Sequence, residues 1–241
     1  MRFPAVVRRL KKIVGPGSVL EQIGYTAEQK AAVPEGSNLG LGCGSPLSYA
    51  HARAGETVLD LGSGAGIDCF LAAREVGPNG RVIGVDMTPA MIERARANAA
   101  KGDYANVEFR LGEIEHLPVA DSSVDLIISN CVVNLSPDKP QVFREALRAL
   151  KPGGRMLVSD LVLTRPLSPA LQANVDLYVG CVAGASLRDH YLGAMREAGF
   201  ADVDVVAESG YQVGVDSLPA GSPERDAFAA VASVKVRARK P

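Results

Sequence analysis

The sequence predicts an α/β protein, a mostly parallel sheet with helices on both faces. Three observations lead there. Short apolar runs alternate along the chain with helical stretches; the run Val58-Leu59-Asp60-Leu61 breaks into Gly62-Ser63-Gly64-Ala65-Gly66; and the next run, Arg81-Val82-Ile83-Gly84-Val85-Asp86, ends in an acid 20 residues after Gly66. Strands that alternate with helices build a parallel sheet whose two faces the helices cover.

In chain order, residues 1–20 are a basic start, Arg2 to Lys12, closed by Val14-Gly15-Pro16-Gly17-Ser18, and read as a flexible segment before one domain over 21–241. Thr26 is placed to cap a short helix within Tyr25 to Ala32, which stops before Val33-Pro34-Glu35-Gly36. Small residues from Gly36 to Pro46 form a loop that carries Cys43 and is free to close over a ligand. Ile67 to Val76 reads as a helix stopped by Gly77-Pro78-Asn79-Gly80, and Pro89 to Ala100 as a helix behind Thr88. Val107 to Arg110 and Val124 to Ile128 are the third and fourth strands, followed by a helix over Lys139 to Leu150. A fifth strand, Arg155 to Asp160, comes after the turn Lys151-Pro152-Gly153-Gly154. An insertion over residues 164–185 interrupts the rhythm. Leu187 to Ala198 is then a helix closed by Gly199, and Val203 to Ala207 with Ala230 to Val236 pair as two final strands at one edge, making seven in all.

Composition excludes several functions. With 241 residues and 47% hydrophobic content, one domain can bury on the order of 70–75% of its unfolded surface. Lys and Arg number 26 against 27 Asp and Glu, so no overall field draws the chain to nucleic acid or an anionic membrane. No apolar stretch reaches the roughly 18 residues of a membrane span, and the basic start has no secretory core behind it. The expectation is a soluble cytoplasmic protein. Cys43, Cys69, Cys131 and Cys181 are too dispersed for a compact disulfide framework or a Cys-x-x-Cys metal pair, although they can still meet in space. His51, His116 and His190 show no paired spacing for a metal.

The glycine turn carries the chemistry. Gly62 and Gly64 let the backbone pass close to a ligand, and Gly66 lets the next helix pack on the sheet. An acid placed like Asp86 accepts hydrogen bonds from a ribose diol. The dinucleotide turn is Gly-x-Gly-x-x-Gly, with the pyrophosphate on the helix N-terminus. Here the spacing is Gly-x-Gly-x-Gly behind Asp60, and an acid there repels a pyrophosphate but suits an ammonium group. Ligands of such sheets sit outside the C-terminal strand ends, where Asp60, Asp86, Glu113 and Asn130 all fall.

This turn resembles the first motif of the class I S-adenosylmethionine-dependent methyltransferases, and Lys151-Pro152-Gly153-Gly154-Arg155 resembles their turn before strand five. The resemblance implies that Asp60 and the turn hold the methionine end, Asp86 the ribose, and Glu113 the exocyclic amine of adenine. Ser63, Met87, Ile114 and Asn130 complete the expected cofactor set.

A more specific resemblance follows. Ser129-Asn130-Cys131-Val132-Val133-Asn134-Leu135, with Asp68-Cys69, Val85-Asp86-Met87-Thr88-Pro89 and Gly180-Cys181-Val182-Ala183-Gly184-Ala185, resembles the arsenite methyltransferases over roughly residues 25 to 212. It implies that Cys131 and Cys181 bind trivalent arsenic, with Cys43 as a third ligand, because soft ions prefer thiolates. Cys69 reads as a small core hydrophobe. Ser129 and Asn134 either orient the acceptor loop or make ordinary turn hydrogen bonds. Fuller family members carry a further cysteine upstream of the Cys43 loop. None precedes Cys43 here, so the resemblance implies an external thiol reductant such as glutathione or thioredoxin, with arsenite or its thiol adduct as substrate. Two other readings remain open: methylation of a small organic metabolite, and a non-catalytic thiol-based metalloid binder.

Overall fold

The computed structural model describes residues 21, 23–40, 42–172, 182, 184–211, 215 and 220–241. The basic start at 1–20 and, within the insertion, residues 173–181 with Cys181 and residue 183 lie outside the described residues.

The strands are β1 (Thr57–Leu61), β2 (Arg81–Asp86), β3 (Val107–Leu111), β4 (Val124–Asn130), β5 (Leu150–Leu163), β6 (Ala201–Gly210) and β7 (Val231–Arg239). They form one seven-stranded sheet in the order β3-β2-β1-β4-β5-β7-β6. The first five strands pair in parallel, while β7 runs antiparallel between β5 and β6. The fold class and the edge pair are as expected.

Strand order reverses at β1, which lies between β2 and β4, so the crevice above β1 and β4 is where ligands of such sheets enter. The register puts Asp60 opposite Gly84 and Ile128, and Asn130 opposite Ser159. The polar strand ends therefore share one edge.

Alternation along the strands divides the core. Leu59, Leu61, Ile83, Val85, Ile127, Met156 and Val158 pack with Phe143 and Tyr191 on one face. Val58, Val82, Leu126, Ile128 and Leu157 pack with Phe70, Leu71 and Ile92 on the other. Successive side chains of a strand point to opposite faces, so central strands covered on both sides read as almost unbroken apolar runs.

Seven of the helical pieces matter here: α1 (Ala27–Ala31), α2 (Leu47–Ala50), α3 (Ile67–Val76), α4 (Pro89–Gly102), α5 (Lys139–Ala149), α6 (Pro169–Gln172) and α7 (Arg188–Glu197). Thr26 caps α1 in a reciprocal box with Gln29. Among the described residues, no helix is long and apolar enough to cross a membrane.

The fifth strand departs from expectation. Lys151-Pro152-Gly153-Gly154, read as a turn, belongs to β5. The cause is a distant partner: Gly153 N donates to Lys240 O at 3.0 Å, and Lys240 N donates to Gly154 O at 2.8 Å. Lys240, just past the end of β7, thus prolongs the backbone pairing across a local turn signal.

Candidate active site

The glycine turn ties β1 to β2 and opens α3. Gly62 N and Ser63 N both donate to Val85 O, at 2.8 and 2.9 Å. Gly62 has φ 69°, and a Cβ there would strike the Val132 side chain. Gly66 has φ 96°, and its Cβ would lie 2.7 Å from Phe109 Cζ. Asp86 Oδ2 accepts Gly64 N at 3.0 Å and Oδ1 accepts Thr88 N at 2.8 Å. The acid thus holds the turn in place, and each oxygen keeps capacity for a further hydrogen bond.

Several features of the turn fit S-adenosylmethionine. Ser63 Oγ is buried with no protein partner, a group that ordinarily finds a hydrogen bond. Asp60 and Asp68 are buried, at 2% and 4% exposure, and neither forms a salt bridge among the described residues. Burial raises Asp60, and the Asp68 charge raises it further. Burial also pushes Asp68 up to about 6, against the hydrogen bonds from Tyr25 and Asn130 that favour its charge. Two buried acids with no cation beside them suit a cationic group. On the β2 and β3 side, Met87 is 69% and Leu111 53% exposed beside Asp86, apolar surface suited to a flat heterocycle. Glu113 follows β3, and Ile114 packs with Leu117 and Val119 in the core.

The thiols converge on the same edge. Cys131 follows the last residue of β4 and sits at φ 60°, left-handed for a non-glycine residue, with its N–H donating to Ser159 O at 2.8 Å. Cys43 meets it there: the two sulfurs are joined as a disulfide, with Cα atoms 5.4 Å apart. A carboxylate completes the group, since Asp160 lies with both sulfurs in a cluster whose ligand atoms are all within 4.8 Å of one another. Asp160 is buried and pushed up to about 7 by that burial. Its oxygens accept from Asn134 Nδ2 at 2.8 Å, Leu161 N at 2.9 Å and Tyr191 Oη at 3.2 Å. Asn134, left open between an acceptor role and turn bonding, anchors this loop to β5; Ser129 Oγ is buried without a partner.

Asn130 links the thiols to the acids. Its Oδ1 accepts Cys43 N at 3.0 Å, and its Nδ2 lies 2.7 Å from Gly44 O, 2.8 Å from Tyr25 Oη and 3.2 Å from Asp68 Oδ2. Cys69 is fully buried away from the thiol pair, and its Sγ donates to Asp60 Oδ2 at 3.2 Å. The core role expected for it holds, with a hydrogen bond added. Val182, the neighbour of Cys181, packs in the apolar cluster that contains Cys43.

Tyr25, Asp68 and Asp160 had no assigned role in the sequence. Asp160 alone offered a signal, as a charged end to an apolar strand on the edge where ligands bind.

The fold, the turn and the buried acids define a class I methyltransferase domain, and residues 52–199 match the family model described as a methyltransferase domain. An arsenite methyltransferase from Halobacterium salinarum is 53% identical over 221 residues, 92% of this chain and 56% of that protein. Another, from Aquipseudomonas alcaligenes, is 44% identical over 182 residues, 73% of this chain and 52% of its own length. The crystal structure of an arsenic(III) S-adenosylmethionine methyltransferase from Chlamydomonas reinhardtii superposes with TM-score 0.71 at 34% identity, covering 94% of this chain and 74% of that one. The chain belongs to the arsenite methyltransferase family. It spans about half the length of the curated relatives it matches.

Proposed function

We propose that the chain methylates trivalent arsenic, using S-adenosylmethionine as methyl donor and cysteine thiolates to hold the arsenic. The observation that carries this reading is the meeting of Cys43 and Cys131 beside the glycine turn. An oxygen or carbon acceptor needs a base to take its proton. A soft acceptor with its own lone pair needs soft ligands instead, and a buried thiol pair supplies them. Cys181 is the further thiolate, supported by Val182 packing in the cluster that contains Cys43.

When bound, the cofactor supplies an electrophilic methyl group on a sulfonium, and its transfer leaves a neutral thioether. The arsenic lone pair forms the new As–C bond as the S–CH3 bond breaks, and arsenic passes from the trivalent to the pentavalent state. The protein's part is to align the reactants, an effect worth up to ~7–11 kcal/mol in favourable cases. Returning arsenic to the trivalent state takes two electrons. Two electrons return to arsenic when the Cys43 and Cys131 thiolates leave it as their disulfide, two As–S bonds breaking as the S–S bond forms, and an external thiol such as glutathione or thioredoxin restores the pair. A reducing, cytoplasmic setting suits that cycle.

The test is mass spectrometry of arsenic species after incubation with arsenite, a thiol and S-adenosylmethionine. Methylated arsenic is expected from the native chain and none from Cys131→Ser, which exchanges a thiol for a hard hydroxyl while leaving cofactor binding intact. Full methylation by Cys131→Ser would overturn the reading.

A further inference from the structure

The network between the acids and the thiols has a shortage of hydrogens. Asn130 Nδ2 carries two, yet three acceptors lie within reach: Gly44 O at 2.7 Å, Tyr25 Oη at 2.8 Å and Asp68 Oδ2 at 3.2 Å. Tyr25 has one, shared between the Asp68 oxygens at 2.7 and 2.9 Å. An amide in this position serves two acceptors well and the third poorly. Which two it serves depends on the charge at Asp68, because an ionised carboxylate draws a donor more strongly than a neutral carbonyl does. At the other end of the same amide, Oδ1 takes the Cys43 N–H, and the residue after Asn130 is Cys131. One side chain thus touches the backbone at Cys43 and Gly44 and a carboxylate that has no cation, and the residue that carries it is the neighbour of Cys131.

We infer that Asp68 and Asn130 are positioning residues that couple the two sites: an ammonium beside Asp60 and Asp68 sets the Asn130 amide, and the amide sets the Cys43–Gly44 backbone against Cys131. The inference rests on the arsenic reading for the identity of the second ligand. The relay starts at the buried acids, so the signal is assigned to the cofactor's amino-acid end. The linkage is reciprocal, since a ligand that fixes the thiols must improve ammonium binding by the same factor.

Two nucleosides separate the parts. S-adenosylhomocysteine carries the ammonium and no transferable methyl, whereas 5′-methylthioadenosine keeps the adenosine and thioether without the amino acid. Methylarsenite affinity of the full chain is measured by titration calorimetry, alone and with each nucleoside at saturation. S-adenosylhomocysteine is expected to tighten methylarsenite binding at least about fivefold, the lower end of usual couplings, and 5′-methylthioadenosine to leave it unchanged. In Asp68→Asn the enhancement by saturating S-adenosylhomocysteine is expected to disappear, whatever the variant's own affinity for methylarsenite. Equal tightening by both nucleosides, or none by either, would overturn the coupling. The nucleoside comparison needs only the native protein, so it stands if Asp68→Asn does not fold. Iodoacetamide alkylation of Cys43 in the reduced protein, followed by mass spectrometry, reads the relay without arsenic: S-adenosylhomocysteine is expected to slow it and 5′-methylthioadenosine to leave it unchanged. If methylarsenite does not bind but alkylation responds in this way, the arsenic reading falls and the relay stands. If methylarsenite binds but neither assay responds to the ammonium, the reverse holds.

Discussion

Cys43 and Cys131, 88 positions apart in sequence, have Cα atoms 5.4 Å apart, within the range a disulfide requires. The same two sulfurs cannot be bonded to each other and to arsenic at once, so oxidation and substrate binding compete. Protein kept without reductant is expected to show two fewer reactive thiols than the reduced form and to bind no arsenic until a dithiol is added. Thiol titration and arsenic stoichiometry by elemental mass spectrometry check this. Equal arsenic content in both forms would place the binding site elsewhere.

The backbone at Cys131 yields a prediction about stability. At φ 60° any side chain pays roughly 1–2 kcal/mol that glycine does not. Cys131→Gly is therefore expected to be more stable than Cys131→Ala by about 1 kcal/mol, the reverse of the usual order. Urea unfolding of the two variants decides it. If the alanine variant is equal or better, Cys131 is not held left-handed, and the turn after β4 has another shape in solution.

Much of the architecture was legible because its signals are local. The glycine turn, Asp86 and the cap at Thr26 are written within a few residues of the structure they make. The extension of β5 was hidden because its partner is Lys240, far along the chain. The same limit applies at the site. Asp60 and Asp86 could be read from a motif, whereas the bonds from Tyr25 to Asp68 and from Asn130 to Tyr25 span 43 and 105 positions. Cys43 was expected as a third arsenic ligand, and the structure makes it the direct partner of Cys131. Asp160 went unassigned because in the sequence it reads as the polar stop of the run Arg155 to Asp160, whereas β5 continues through it to Leu163.

Two glycines of the turn separate crowding from backbone strain. Gly62 and Gly64 are both left-handed, at φ 69° and 54°. A Cβ at Gly62 would collide with Val132, whereas at Gly64 the nearest atom, Leu39 Cδ1, is 3.9 Å away. Gly64→Ala is expected to cost about 1–2 kcal/mol from strain alone. Gly62→Ala adds overpacking of about 1–3 kcal/mol and pushes on the residue next to Cys131. Thermal melting with and without S-adenosylhomocysteine compares them. Equal losses would mean that Val132 yields without cost.

The buried acids make cofactor binding depend on pH, and the direction follows from proton counting. Asp68 is raised to about 6 and Asp60 well above its ordinary value, in both cases mainly by burial, with Asp68 and then Asp86 adding to Asp60 by charge. Tyr25, Asn130 and Cys69 are the groups bonded to the pair, and none of them brings a positive charge. Near and below pH 6 the free protein thus holds protons that a complex with an ammonium group must release. Affinity for S-adenosylhomocysteine is expected to rise with pH, approaching tenfold per unit for each proton released, and to level off above the raised values. Folding runs the other way. The native state binds these protons more tightly than the unfolded chain, so the stability they contribute to the ligand-free protein is greatest at low pH. It declines as pH climbs from the ordinary 3.8 through about 6. The stabilisation by S-adenosylhomocysteine, read as a melting shift, should therefore grow as pH rises through about 6. The shift caused by 5′-methylthioadenosine, which has no ammonium, should stay level. Asp68→Asn removes one titrating partner and is expected to flatten the first profile. A flat profile in the native chain would show that both acids are already ionised without a cation, and that burial does not set their charge.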